Sequence, residues 1–236
     1  MSAPETTGPK AGTPVQLGDQ DWMAWLQQHG RTAALAAGTV VVVAAAAWLY
    51  VSSSARKESF ASQALTQARA SAESGNLPLA ASDLNRLTDR FGGTNAADEA
   101  VILLSQIRLI QGQRDAAVQS LQQFVRGAHA DYVKASAYAL LGGGLEDQGK
   151  LREAGTAYRE ASRAARLDFL KAQYLIDAGR TLAASGDTAG ARAAYGEVLQ
   201  KYGELQQAFE ARVRMAEIGG EVLPPPKPKR EGTTPG

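Results

Sequence analysis

Four glycines, Gly75, Gly112, Gly149 and Gly186, stand 37 residues apart three times over. Around them the segments SAESGNLPLAASDL, RLIQGQRDAAVQSL, LEDQGKLREAGTAY and LAASGDTAGARAAY align. Five positions after each glycine comes a small residue (Ala80, Ala117, Ala154, Ala191), and nine positions after it a large one (Leu84, Leu121, Tyr158, Tyr195). A strict period of this length with no strand-like alternation reads as helix, glycine turn, helix in every unit. Glycine at the turn supplies a positive φ and ends the first helix, alanine lets the second helix approach, and the large residue fills the seam. One such hairpin cannot bury its apolar face alone. The predicted fold is therefore all-α, with about four stacked hairpins over residues 56–220 forming an α/α superhelical solenoid.

A last helix, Leu205 to Ile218, places Leu205, Phe209, Val213 and Ala216 along one side and is expected to cap the open end with that side. Gly219-Gly220 stop it, and Pro224-Pro225-Pro226 opens a polar tail over 221–236 that prolines keep extended, a solvated end or a ligand for a proline-recognising domain. Gly92-Gly93 before Thr94-Asn95 reads as a helix stop and the next N-cap. Gly142-Gly143-Gly144 is unusual, because glycine costs ~0.8–1 kcal/mol per residue in a helix interior. Either tight packing at Gly142 compensates, or Gly143 and Gly144 open space for a bound segment.

Ahead of the repeats, Thr32 to Ala55 is uncharged, and Ala33 to Val51 holds 19 residues with neither charge nor proline. At ~1.5 Å per residue this nearly matches a hydrocarbon core of ~30 Å, which predicts a transmembrane helix over 32–55. A buried core helix would carry a polar side, and this run has none. A cleaved signal peptide fits the Ala44–Ala47 pattern, but the polar stretch in front and the apolar character through Val51 favour an uncleaved anchor. Trp48 and Tyr50 fall at aromatic-belt depth, and Arg56 and Lys57 at headgroup depth. On the other side Trp22, Trp25 and Leu26 share one helical face, so 19–31 reads as an interfacial helix jointed at Gly30, or as a plain extension of the span. Residues 1–18, rich in Pro, Gly, Thr and Ser, read as a disordered tail. Charges on the two flanks are too evenly matched to orient the span.

The chain has no cysteine, which excludes disulfides and thiolate metal sites. Its net charge of +1 comes from the two ends, and residues 32–223 sum to zero, so no footprint for nucleic acid exists. His29 and His129 lack metal-ligand spacing and read as surface residues. No nucleophile, acid-base pair or phosphate loop stands out. We expect no enzyme, no cofactor, no metal and no small-molecule substrate.

The repeat units resemble the tetratricopeptide repeat family. The third unit matches best, with Tyr138, Leu141, Gly142, Gly149, Ala154, Tyr158 and Ala161 in the family's positions, and the fourth offers Leu175, Ala178, Gly179, Gly186, Ala191 and Tyr195. The second is degraded at Ser105 and Arg108, and the first keeps mainly Ala68, Gly75, Ala80 and Leu84. The helix-closing proline is absent and each unit is three residues longer than the family's. The resemblance implies a concave protein-binding face lined by the first helix of each unit. Carried over, its residues are Glu99, Ile102, Gln106 and Leu109, then Ser136, Ala139, Gly143 and Glu146, then Gln173, Ile176, Arg180 and Ala183. Tail, single span and repeat domain together resemble the ancillary subunit of the bacterial Sec translocon. That resemblance implies an inner-membrane anchor, repeats in the periplasm, and translocon or chaperone components as partners. The alternative is a structural subunit fixed in a larger membrane complex by its span.

Overall fold

A computed structural model describes residues 21–219. Among them are nine α-helices and no strand: α1 (Asp21–Glu73), α2 (Leu77–Phe91), α3 (Asn95–Ile110), α4 (Arg114–Phe124), α5 (Asp131–Asp147), α6 (Leu151–Ala164), α7 (Asp168–Ala184), α8 (Thr188–Lys201) and α9 (Gln207–Glu217). The chain divides into two compact units, one ending at Ser54 and the other beginning at Ala55. The tails over 1–18 and 221–236 lie outside the described residues, as do the side chains of Trp22 and Trp25.

In the first unit the helix runs through Gly30 without a break. It is the one helix among the described residues long and apolar enough to cross a membrane, and none of its most apolar stretch is buried. Leu35, Val40 to Val43, Trp48, Leu49, Tyr50 and Val51 are all exposed, so this is not a core helix. Its hydroxyls turn inward on the helix itself. Thr39 donates to the Leu35 carbonyl (2.8 Å), Ser52 to Leu49 (3.2 Å) and Ser53 to Tyr50 (2.9 Å).

The second unit is built of hairpins. All four repeat glycines have positive φ, +82° at Gly75, +77° at Gly112, +73° at Gly149 and +84° at Gly186. Each ends its helix with the same pair of bonds. At Gly149, for example, the glycine N–H donates to the Glu146 carbonyl (2.8 Å) and the Lys150 N–H to Leu145 (2.9 Å), which satisfies carbonyls that the helix end leaves open. The following helices start on side-chain caps where the sequence supplies them: Asn76 accepts from the Leu79 N–H (3.3 Å) and Asp187 from Gly190 (2.8 Å).

The aligned small and large positions are the core. Ala80, Ala117, Ala154 and Ala191 are fully buried, and Leu84, Leu121, Tyr158 and Tyr195 lie between 0% and 8% exposed. All but Ala117 fall in three contiguous clusters, centred on α2 with α3, on α5 with its neighbours, and on α7 with α8 and α9. The first helix of each hairpin answers the second in size. A Cβ on Gly142 would come within 2.8 Å of the Tyr158 ring, and one on Gly179 within 2.4 Å of Tyr195. Where the large residue is Leu84 or Leu121, the same place holds Ala68 or Ser105.

Two expectations are corrected. The capping helix α9 packs through Ala208, Ala211 and Met215, while Phe209 (71% exposed), Val213 and Ala216 face out. Its buried side carries Ala208, Ala211 and Met215 against the α7–α8 core, and its bulkiest residue, Phe209, stands on the other side. His129 is no free surface residue. Its ring stacks on Phe124 with centroids 3.9 Å apart, and Nδ1 lies 2.9 Å from the Asp98 carboxylate, which pins the α4–α5 connection to α3.

Candidate protein-binding face

The first helices of the hairpins are the C-terminal part of α1, then α3, α5 and α7. Where α1 enters the second unit it is held to the α2–α3 turn. Lys57 donates its ammonium to the Gly92 carbonyl (2.8 Å), and the Glu58 carboxylate accepts from the N–H groups of Asn95 (2.8 Å) and Ala96 (2.9 Å). Glu58 thus caps α3, a negative charge at the positive end of the helix. Thr94 adds a second cap by accepting from Ala97 (3.1 Å). Lys57, the residue expected at headgroup depth, thus has its ammonium bonded to the repeat unit.

Along the same face α1, α3 and α5 enclose a groove of about 310 Å³. Its lining includes Glu99, Ile102, Gln106 and Ser136, four of the residues expected there, together with Arg69, Leu103, Tyr132 and Val133. The floor is apolar. Its one cation, Arg69, is paired with Glu99, and Arg166 lies over the Tyr132 ring at 5.4 Å.

Further along, α5 and α7 are joined by a polar cluster. Arg180 forms two hydrogen bonds with the Glu146 carboxylate, one of them 3.0 Å, and lies 3.9 Å from Asp177. The Tyr158 hydroxyl donates to Glu146 (3.4 Å). The Arg180 hydrogen bonds hold the Glu146 carboxyl below its ordinary value against the opposing effect of burial. Burial pushes the Asp177 carboxyl up, eased in part by Arg180 and by a hydrogen bond from Gln173. Burial also raises the Tyr158 hydroxyl, with Glu146 and Asp177 adding to it, so it stays a donor.

The remaining expected residues divide. Ala139, Gly143, Gln173 and Ala183 are half-buried on these helices. Ile176, at 1% exposure, belongs to the α7–α8–α9 core and offers the face nothing. Leu109 is half-buried and turned toward α5, where its Cδ2 would meet a Cβ on Gly144 at 3.2 Å. The three successive glycines have separate causes. Gly142 makes room for Tyr158 and Gly144 for Val118, whose Cγ2 would lie 2.8 Å from an added Cβ. At Gly143 the nearest atom is the Tyr158 hydroxyl at 3.6 Å, ordinary contact. Of the two residues read as opening space, Gly143 alone does so.

Hairpins of one length, turned on one glycine and paired small to large, define a helical-repeat protein. A family model described as a tetratricopeptide repeat-like domain matches residues 23–217, and the chain belongs to that family. The match covers the apolar part of α1 as well as the repeats. No curated protein matches the chain. The family is typically a scaffold for other proteins and not a catalyst.

Proposed function

We propose that the chain is a membrane-tethered scaffold that holds protein segments on its first-helix face, close to a membrane machine. The observation that carries this reading is the groove between α3 and α5, apolar at its floor and assembled from the positions at which this repeat family binds peptides. The fully exposed apolar stretch of α1 supports the tether, which raises the effective concentration of partners in a thin layer at the bilayer. In its finer form the reading places the span in a bacterial inner membrane, the repeats in the periplasm, and translocon or chaperone components among the partners. Trp22, Trp25, Trp48 and Tyr50 then lie at the interfaces, with Arg56 beside them.

The test is co-purification of the tagged chain from native membranes, compared with Gly143→Trp. A Cβ at Gly143 meets only ordinary contact, so the indole is expected to block the face without unfolding the hairpin, which a far-UV circular dichroism melt of the variant checks. Undiminished partner recovery by the folded variant refutes the face as the site. The second reading, a structural subunit fixed through its span, is favoured by the same bare apolar helix, where Ala44 to Ala47 permit close helix contact. Cutting the chain after Ser54 separates the two, because Lys57 and Glu58 stay with the repeats: a scaffold keeps its partner and a span-fixed subunit loses it.

A further inference from the structure

Within the repeat unit the starts of the first helices are tied to one another in a row. Lys57 and Glu58 of α1 bond to the α2–α3 turn, at the Gly92 carbonyl (2.8 Å) and at the N–H groups of Asn95 (2.8 Å) and Ala96 (2.9 Å). His129 of the α4–α5 connection bonds to Asp98 in the first turn of α3 (2.9 Å), and Arg166 of the α6–α7 connection lies 5.4 Å over the Tyr132 ring in the first turn of α5. Each connection is fixed to the start of the first helix before it, so all of them follow one edge. The chain enters the repeat unit at that edge. Lys57 stands six residues past Val51, where the apolar run ends, or about 9 Å at ~1.5 Å per residue. Headgroups occupy ~5–8 Å on each side of a hydrocarbon core, so the row begins at the outer limit of that layer.

The side chains of the row suit such a surface. Arg90 lies over Phe91 and Arg166 over Tyr132, and neither they nor Arg126 has a carboxylate partner among the described residues. Leu167 precedes α7 and Phe169 stands in its first turn. Both are exposed, and Cα–Cβ bonds at a helix start tilt toward its N-terminus, here toward the edge. Of the carboxylates, Asp98 is held by His129 and Asp168 by Lys171, which leaves Asp89, Asp131 and Glu204 of the α8–α9 connection to offset the arginines. An edge that is close to neutral, with arginines beside exposed apolar side chains, has the composition of a bilayer interface. Resting on the tether of the proposed function, we propose that this edge lies on the bilayer that α1 crosses, with Arg126 and Arg166 on phospholipid phosphates and Leu167 and Phe169 among the headgroups. The occupant is the membrane because the chain's own span delivers the edge to it. Neutral and acidic phospholipids both carry the phosphate, so the contact does not depend on an anionic bilayer.

The chain has no cysteine, so a single introduced cysteine reports a single place. Ser54→Cys, Ala128→Cys, Asp168→Cys and Gln111→Cys, all at exposed positions, are labelled with bimane in the full chain and reconstituted into phosphatidylcholine vesicles containing a lipid with a nitroxide on its headgroup. Ser54 reports the end of the span, Ala128 and Asp168 the edge, and Gln111 the opposite edge, about 24 Å away along the 16 residues of α3. Quenching at Ala128 and Asp168 is expected to match that at Ser54, with Gln111 unquenched. Combining Arg126→Glu, Arg166→Glu and Phe169→Gln should remove most of the quenching at the edge and leave Ser54 unchanged, in protein whose far-UV circular dichroism melt shows it folded. If the triple variant melts early, Arg126→Glu alone, where no bond is lost, should give a smaller loss of the same kind. Ser54 quenched while Ala128 and Asp168 behave as Gln111 does, or Gln111 quenched equally, overturns the inference and leaves the tether standing. Edge quenching that survives these substitutions in folded protein overturns it as well. No quenching at Ser54 overturns the tether, and the inference with it.

Discussion

Ser105 occupies the position that holds Ala68, Gly142 and Gly179 in the other hairpins, is fully buried, and has a hydroxyl with no hydrogen-bond partner among the described residues. A buried donor without a partner costs ~1–3 kcal/mol, and serine is the poorer helix former. Ser105→Ala is therefore expected to stabilise the protein by about 1 kcal/mol, read as a rise in thermal midpoint or denaturant midpoint at unchanged slope. The glycines of α5 give an opposed pair of outcomes. Gly143→Ala gains ~0.5–1 kcal/mol of helix propensity with nothing in its way. Gly142→Ala gains the same but drives a methyl into the Tyr158 ring, and overpacking of ~1–3 kcal/mol outweighs the gain. If Gly142→Ala proves the more stable of the two, the size pairing of glycine with tyrosine is not what fixes this residue.

At the scale of the helix, the repeat glycines, the buried alanines and the large seam residues were legible in the sequence because each is forced by a local requirement: a positive φ, a close approach, a volume to fill. The packed side of α9 was not. Apolar side chains stand on both sides of it, and only the closeness of α7 and α8 decides that Ala208, Ala211 and Met215 go in while Phe209 stays out. Phe209→Gln should accordingly change stability by less than ~0.5 kcal/mol, whereas Met215→Ala should cost ~2–5 kcal/mol in equilibrium denaturation. Glu58 was likewise hidden, because its role depends on a partner 37 and 38 residues away, the Asn95 and Ala96 N–H groups. Glu58→Ala is expected to cost ~1–2 kcal/mol by uncapping α3. Of the proposed binding face, the four residues that line the groove came from their places in the resembling family's repeat, while Ile176 was lost to the core because α9 packs where a fifth unit would begin.

In a molecule whose hairpins touch only their neighbours, the ties between adjacent first helices set how far the stack behaves as one body. The Glu146–Arg180–Asp177 cluster is such a tie, and its carboxyls respond to pH in opposite senses. Glu146 is held low by Arg180, so its contribution is present above the ordinary carboxylate range and lost as pH falls through its depressed value. Asp177 is pushed up by burial, so its charged form burdens the folded state at neutral pH, and that burden lifts as pH falls through its raised value. Protonated aspartate resembles asparagine. Asp177→Asn should thus raise the melting temperature at neutral pH, by an amount that shrinks as pH is lowered toward ~4, where unfolded aspartates titrate as well. Glu146→Gln should lower it at neutral pH, with the loss disappearing only at lower pH, below the ordinary glutamate range. Far-UV circular dichroism melts of both variants and the parent chain across pH ~3 to ~8 measure the two curves. If they run parallel, burial of Asp177 and pairing of Glu146 are not separate effects, and the cluster titrates as one unit.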